Sequence, residues 1–244
     1  SAGKVVAICD RVDTLIGIFA TGKKPTGVKD PYALRRAAIA LVRFSIEGEC
    51  DFDLLTMLQY SAHLLQDRLA TDTAAAEVFD YVMERLRGYY SDQNIGHDIF
   101  AAVRAVKPTR LIDFNDRMQA VCSFQSLSEA ASLAAANKRI SNILKKTNAQ
   151  ESLAVDESLF SVSAEKQLHQ QISQLEVEVA PLFASRQYSD ALTALAQLRP
   201  SIDQFFEDVM VMDDNPLIRN NRIALLNKVS QAFKTAADIS LIQN

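Results

Sequence analysis

The 244-residue chain is long enough for two modest domains, and its 48% hydrophobic and 23% charged residues are typical of a folded protein. Its net charge of −4 excludes a globally basic nucleic-acid-binding domain, so any such function must depend on a local patch. No apolar run approaches the ~20 residues of a membrane span, and no signal-peptide pattern opens the chain, which predicts a cytoplasmic protein without a membrane partner. Because the sequence lacks an initiator Met, we expect a fragment of a longer protein.

Apolar residues at helical spacing, with only 7 Gly and 6 Pro, predict an all-α fold in which antiparallel helices form two packed regions. Pro108 disfavours a helical conformation at Lys107, and we predict a domain boundary between these two residues. In the first region, helices are predicted over residues 4–20, 31–47, 51–69, 72–90 and 94–106.

The second of these helices follows a Gly/Pro loop and has a clear start signal. Asp30 can accept hydrogen bonds from the free amides of the first turn. Pro31 is favourable at the first helical position, because no helical hydrogen bond needs its missing N–H. The pair therefore predicts a helix that begins at Pro31.

Three arginines on this helix need an explanation. Arg43 and Glu47 are one turn apart and are predicted to pair at the surface. Arg35 and Arg36 admit two interpretations, which are contact with a phosphate and structural pairing with a carboxylate. The second interpretation agrees better with a helix that braces the first region.

The second region begins with a predicted helix over residues 113–124. Ser126 and Glu129 have the spacing of a capping box, which predicts that the next helix starts at Ser126 and runs to residue 146. The polar stretch 147–163 is predicted as a loop, and Pro181 should kink or end the helix after it. Further helices are predicted over 164–184 and 189–198, from Pro200, and from Asn215-Pro216.

A basic face is predicted on the helix that ends near residue 146. At ~100° per residue, five polar side chains fall within an arc of roughly 120°, opposite an alanine-rich face. Such a face suits contacts to phosphates and base edges, although a solvated face with cations near a helix C-terminus is the alternative. The last helix adds Arg219, Asn221 and Arg222. The five residues of the arc are Lys138, Arg139, Asn142, Lys145 and Lys146.

Signatures of catalysis are missing from the sequence. The three histidines are far apart and have no metal-ligand spacing, and no phosphate-binding glycine loop or nucleophile elbow occurs. Asp10 and Asp13 could bind metal only with histidine partners from elsewhere. Cys9, Cys50 and Cys122 are expected to be buried free thiols. We therefore predict no catalytic residue, no metal and no cofactor in this chain.

Three blocks of sequence resemble the beta subunit of bacterial glycyl-tRNA synthetase. The first joins DRVDTLIGIF, residues 10–19, to KPTGVKDPYALRRAA, residues 24–38. The second is AAANKRISNILKK, residues 134–146. The third joins FFEDVMVM, residues 205–212, to RNNRIALL, residues 219–226. Their order and length make this resemblance far more specific than a short motif.

The resemblance implies a division of the chain at residue 107. Residues 1–107 are expected to end an HD-like helical body, where Ala7–Asp10 resembles the last metal-ligand motif of HD hydrolases. Residues 108–244 are expected to form a DALR-like anticodon-binding domain, similar to the one that ends arginyl-tRNA synthetases. In this family the alpha subunit carries the glycine and ATP chemistry, with Mg, and the enzyme is an alpha2beta2 assembly.

The implied function is recognition of the tRNA(Gly) anticodon arm in support of glycylation. Two alternatives remain, which are a helical scaffold that docks the alpha subunit and a remnant of an HD-type phosphohydrolase with metal at Asp10. The implied tRNA-binding residues are Lys138, Arg139, Asn142, Lys145, Lys146, Arg219, Asn221 and Arg222.

Overall fold

A computed structural model of the chain describes residues 2–25, 30–147 and 154–243. Within these ranges the protein consists of helices and connecting turns without a strand, apart from one isolated bridge between Asp53 and Arg110. The predicted all-α class is therefore confirmed. The chain divides into two compact units, Ser1–Phe100 with Pro108–Asn115, and Ala101–Lys107 with Asp116–Asn244. The functional assignment of residues 1–107 and 108–244 stays a prediction.

The first unit is built on four helices that bury a common apolar core. The first helix packs against each of the other three, since its buried residues recur every three or four positions. The helices are α1 (Ala2–Ala20), α2 (Leu34–Ile46), α3 (Leu54–Leu65) and α4 (Ala74–Ser91), followed along the chain by α5 (His97–Arg104) and α6 (Leu111–Gln125). Fully buried residues of this core include Leu15, Ile16, Leu41, Leu54, Leu58 and Leu86.

Helix α2 begins three residues later than predicted. Asp30 does accept the expected amide hydrogen bonds, from Leu34 N at 2.8 Å and Arg35 N at 2.9 Å. Between Asp30 and Leu34 the chain makes an extra turn, in which Ala33 has a left-handed backbone conformation with φ 56°. Pro31 therefore lies before the helix and not at its first position. Residues 26–29 of the predicted loop lie outside the described residues.

The predicted pair of Arg43 and Glu47 is confirmed, with 3.7 Å between Nε and Oε1. The two interpretations of Arg35 and Arg36 stay untested. All three cysteines are free thiols, as predicted, but their predicted burial is wrong for Cys9, which is exposed. Cys50 and Cys122 are half-buried.

Besides the second half of α5 and most of α6, the second unit contains the remaining helices. They are α7 (Ala130–Lys146), α8 (Ser163–Ala184), α9 (Tyr188–Leu195), α10 (Arg199–Asp208) and α11 (Pro216–Lys234), with 3-10 turns at Glu157–Leu159, Ala196–Leu198 and Ile239–Leu241. Helix α7 packs against α10, α11 and the last 3-10 turn. Helix α8 packs against α9, α10 and α11. Residues 148–153 of the predicted loop lie outside the described residues.

The start of α7 differs from the prediction, whereas α8 ends at residue 184 as predicted. Helix α7 starts at Ala130 without a side-chain cap, because Ser126 N donates to Ser123 O and continues the turn that ends α6. The capping box is therefore wrong. Pro181 lies within the last turn of α8, which continues to Ala184. The start of α11 is confirmed, with Asn215 Oδ1 accepting from Leu217 N at 3.0 Å.

Candidate nucleic-acid interface

The predicted basic face of α7 is present on the surface. Its opposite side is buried by Leu133, Ala134 and Ile140, which are each 3% exposed or less. Within the described residues, no ion pair joins the three lysines of this face to a carboxylate. We call the exposed residues Lys138, Arg139, Asn142, Lys145 and Lys146 the basic face.

Four of these five residues line a groove with a volume of about 610 Å³, which we call the α7 groove. Its other wall is the segment Val209–Met212, which follows α10. Met210 and Met212 are 75% and 54% exposed. The groove thus combines a wall of cations and an amide with a wall that carries two exposed thioethers. Lys145 is exposed on α7 but does not line the groove.

Arg139 has a fixed partner within this unit. Its guanidinium carbon lies 3.9 Å from the centre of the Phe206 ring, well within the ~6 Å range of a cation–π contact. Phe206 in turn contacts Phe205 edge to face, with 5.7 Å between ring centres. Because Phe205 is fully buried in α10, the ring under Arg139 is anchored to the core.

The wall Val209–Met212 is held in place by Arg222 of α11. Arg222 Nη1 donates to Met210 O at 2.9 Å and to Asp213 Oδ2 at 2.8 Å. Its Nε donates to Glu165 Oε1 at 2.8 Å, and its Nη2 donates to Ser161 Oγ at 3.0 Å. Arg222 is only 4% exposed and Glu165 is 0% exposed. The guanidinium group is therefore occupied by protein acceptors.

Asp213 and Arg219 belong to the same group of hydrogen-bonded residues as Arg222. The backbone amide of Asn215, followed by the guanidinium group of Arg222, holds the pKa of Asp213 below its ordinary value. Arg219 Nη1 donates to Asp213 O at 3.0 Å and is half-buried. Both arginines therefore brace the turn between α10 and α11.

The side-chain amide of Asn221 is also hydrogen-bonded within the protein. Its Oδ1 accepts from Asp156 N at 2.8 Å, and its Nδ2 donates to Asp156 O at 2.9 Å. It is 5% exposed. Contact of Asn221 or Arg222 with an RNA base would break these buried hydrogen bonds.

A signal for this burial is present in the sequence. Arg222, Leu225, Leu226, Val229 and Phe233 have the spacing of one helix face. An arginine on an apolar face is expected to find a buried partner, although the sequence does not identify Glu165 as that partner. The two exposed methionines and Phe206 were also missed, since their role depends on the path of the chain after α10.

The structure places Asp10 and Asp13, the two acidic residues considered as metal ligands, on α1. Asp10 is exposed, and Asp13 accepts a hydrogen bond from Ser61 Oγ at 2.6 Å. Among the described residues, no three or more His, Cys, Asp and Glu side chains are grouped so that they could hold a metal ion. In the same ranges, no helix is long and apolar enough to cross a membrane.

Comparisons with known proteins place both parts of the chain. A family model described as the glycyl-tRNA synthetase beta subunit matches residues 1–105, and one described as the DALR anticodon binding domain matches residues 133–243. The glycine–tRNA ligase beta subunit of Shewanella putrefaciens is 47% identical over 238 residues, which cover 98% of this chain and 34% of the relative. The glycine–tRNA ligase beta subunit of Shewanella baltica is 47% identical, over 98% of this chain and 34% of the relative. That of Shewanella oneidensis is 46% identical, over 98% of this chain and 35% of the relative.

The chain spans about a third of the length of the curated relatives it matches. The match extends over nearly all of this chain, and the two family models cover most of each unit. The resemblance found in the sequence is therefore confirmed, and the chain belongs to the family of glycyl-tRNA synthetase beta subunits.

Proposed function

We propose that this chain is the tRNA-binding part of a glycyl-tRNA synthetase beta subunit and that the α7 groove receives the anticodon arm of tRNA(Gly). The observation that carries the proposal is the basic face, which lines a groove within the part of the chain matched by the anticodon-binding model. The volume of about 610 Å³ lies in the range of ligand sites, about 300–1,000 Å³.

The proposed contacts follow from the chemistry of the two walls. Lys138, Lys145 and Lys146 are exposed point charges that suit phosphate oxygens, which position an RNA without reading its sequence. Asn142 offers both a donor and an acceptor to a base edge. Arg219, Asn221 and Arg222 are not part of the proposed contact surface, because protein acceptors and donors already engage them.

The wider role is also part of the proposal. Residues 108–244 act as the DALR-like anticodon-binding domain, and residues 1–107 belong to the HD-like helical body. The chain works in the cytoplasm with the alpha subunit in an alpha2beta2 enzyme that glycylates tRNA with ATP and Mg. The chain itself supplies binding and no catalytic group.

The test is binding of a fluorescent tRNA(Gly) anticodon stem-loop to the 244-residue chain. The double variant Lys138→Ala/Lys145→Ala should bind about tenfold more weakly, since it loses two exposed charge contacts of up to about 1 kcal/mol each. It should also have a smaller salt slope, by about 1 to 2 in log K against log salt.

The matched control is Arg43→Ala/Arg68→Ala, which removes two exposed cations of the first unit. Its net charge equals that of the test variant, so a general electrostatic effect would weaken both equally. Equal loss in the two variants, or no binding of the stem-loop by the unmodified chain, would overturn the proposed function.

A further inference from the structure

The exposed cations of the α7 groove differ in how firmly they are held. Lys138 and Lys146 end in flexible chains, and no aromatic ring of the described residues lies beneath them. Arg139 instead rests on Phe206 at 3.9 Å. A guanidinium group that lies over an aromatic ring has less orientational freedom than an ammonium group at the end of a free chain.

We infer that Arg139, which lies over the Phe206 ring, discriminates between bases at one position of the loop beside Asn142, whereas the lysines of the α7 groove supply affinity without discrimination. This inference rests on the proposed function and deepens it. It assigns to Arg139 a more specific role than the tRNA contact expected from the sequence.

The groove suits an unpaired base as the ligand of Arg139. Arg139 is exposed and lines the groove, so its guanidinium group can present paired donors to the edge of a base or stack on its face. Met210 and Met212 on the other wall are exposed thioethers, which make favourable contacts with aromatic rings. A base between these walls would have an apolar contact on one side and a fixed set of donors on the other.

Phe206 is a positioning residue in this scheme. It contacts Phe205, which is fully buried, so the orientation of Arg139 is tied to the packing of α10. Loss of the ring should leave the positive charge of Arg139 in place but allow its guanidinium group to adopt several orientations. Discrimination between bases should then fall while the contribution of charge to affinity remains.

The experiment compares the tRNA(Gly) anticodon stem-loop with loops that each carry one changed anticodon base. The measured quantity is the discrimination ratio, defined as Kd for the changed loop divided by Kd for the unchanged loop. Arg139→Lys and Phe206→Leu should each lower this ratio by about tenfold at one loop position, which is the effect expected for loss of one oriented pair of donors. Arg139→Lys keeps the charge, so its salt slope should match that of the unmodified chain.

Two further variants separate this role from a structural one. Phe206→Tyr keeps the ring and should retain the discrimination ratio. Lys138→Ala removes a groove cation without a ring beneath it and should weaken binding to every loop by the same factor. Circular dichroism checks that Phe206→Leu is folded, while Arg139→Lys changes an exposed side chain and tests the inference independently.

The possible failures can be told apart. If the unmodified chain binds and discriminates but Arg139→Lys and Phe206→Leu keep its ratio, the inference is wrong and the proposed function stands. If the unmodified chain binds every loop equally, Arg139 discriminates nothing and the inference is again wrong. If no stem-loop binds, both the proposed function and the inference are lost.

Discussion

Arg139 and Arg222 carry the same guanidinium group into opposite surroundings. Arg222 is 4% exposed and all of its nitrogens donate to protein acceptors, among them Glu165 and the carbonyl of Met210. Arg139 is exposed and has an aromatic ring on one side. Burial therefore decides which of the two can bind a ligand, and residue type alone does not.

Replacing Arg222 by Ala should lower the free energy of unfolding by about 3–5 kcal/mol, because Glu165 would be left as a buried charge without its partner. Urea denaturation followed by circular dichroism measures this loss. The control Arg43→Ala removes an exposed ion pair on α2 and should cost only about 0.3–0.5 kcal/mol. Similar losses in both variants would mean that the buried pair contributes no more than the surface pair.

At the scale of single helices, periodicity predicts the interiors but not all of the starts. The apolar spacing of α1 and α11 is local information, and both helices form as predicted. The starts of α2 and α7 depend on turns that precede them, where Ala33 adopts a left-handed conformation and Ser126 bonds back to Ser123. Ser and Asp before an apolar run signal a helix start, yet they do not exclude an intervening turn.

Replacement by alanine should have opposite effects on stability at Gly48, just after α2, and at Gly88, within α4. A Cβ at Gly48, just after α2, would lie 2.6 Å from Phe44 O, which also accepts from Cys50 N at 3.2 Å. Gly48→Ala should therefore destabilise the chain by about 1–3 kcal/mol. Gly88→Ala in α4 meets no atom within 4 Å and should stabilise it by about 0.5–1 kcal/mol.

Thermal or urea unfolding of the two alanine variants provides the measurement for this pair. Each serves as the control of the other, since the chemical change is the same and only the surroundings of the added methyl group differ. A gain in stability for Gly48→Ala would show that the end of α2 relaxes without cost, contrary to the expected clash.

For the molecule as a whole, the net charge of −4 conceals a local basic face. Its spacing along α7 made the face predictable from sequence, because five residues of one helix are sufficient to define it. The opposite wall of the groove was not predictable, since it depends on how Arg222 and Glu165 hold the segment after α10. Long-range hydrogen bonds of this kind leave no periodic signal in the sequence.

The proposed role of the α7 groove in glycylation can be separated from a scaffold role by measuring two reactions of an enzyme assembled from alpha and beta subunits. Lys138→Ala/Lys145→Ala should raise the KM for tRNA(Gly) by about tenfold with little change in kcat, since it removes contacts made equally in the ground state and the transition state. Glycine-dependent exchange between ATP and pyrophosphate needs no tRNA and should keep its rate. Arg43→Ala/Arg68→Ala should change neither reaction. A parallel loss of exchange and glycylation in Lys138→Ala/Lys145→Ala would instead favour a scaffold that docks the alpha subunit.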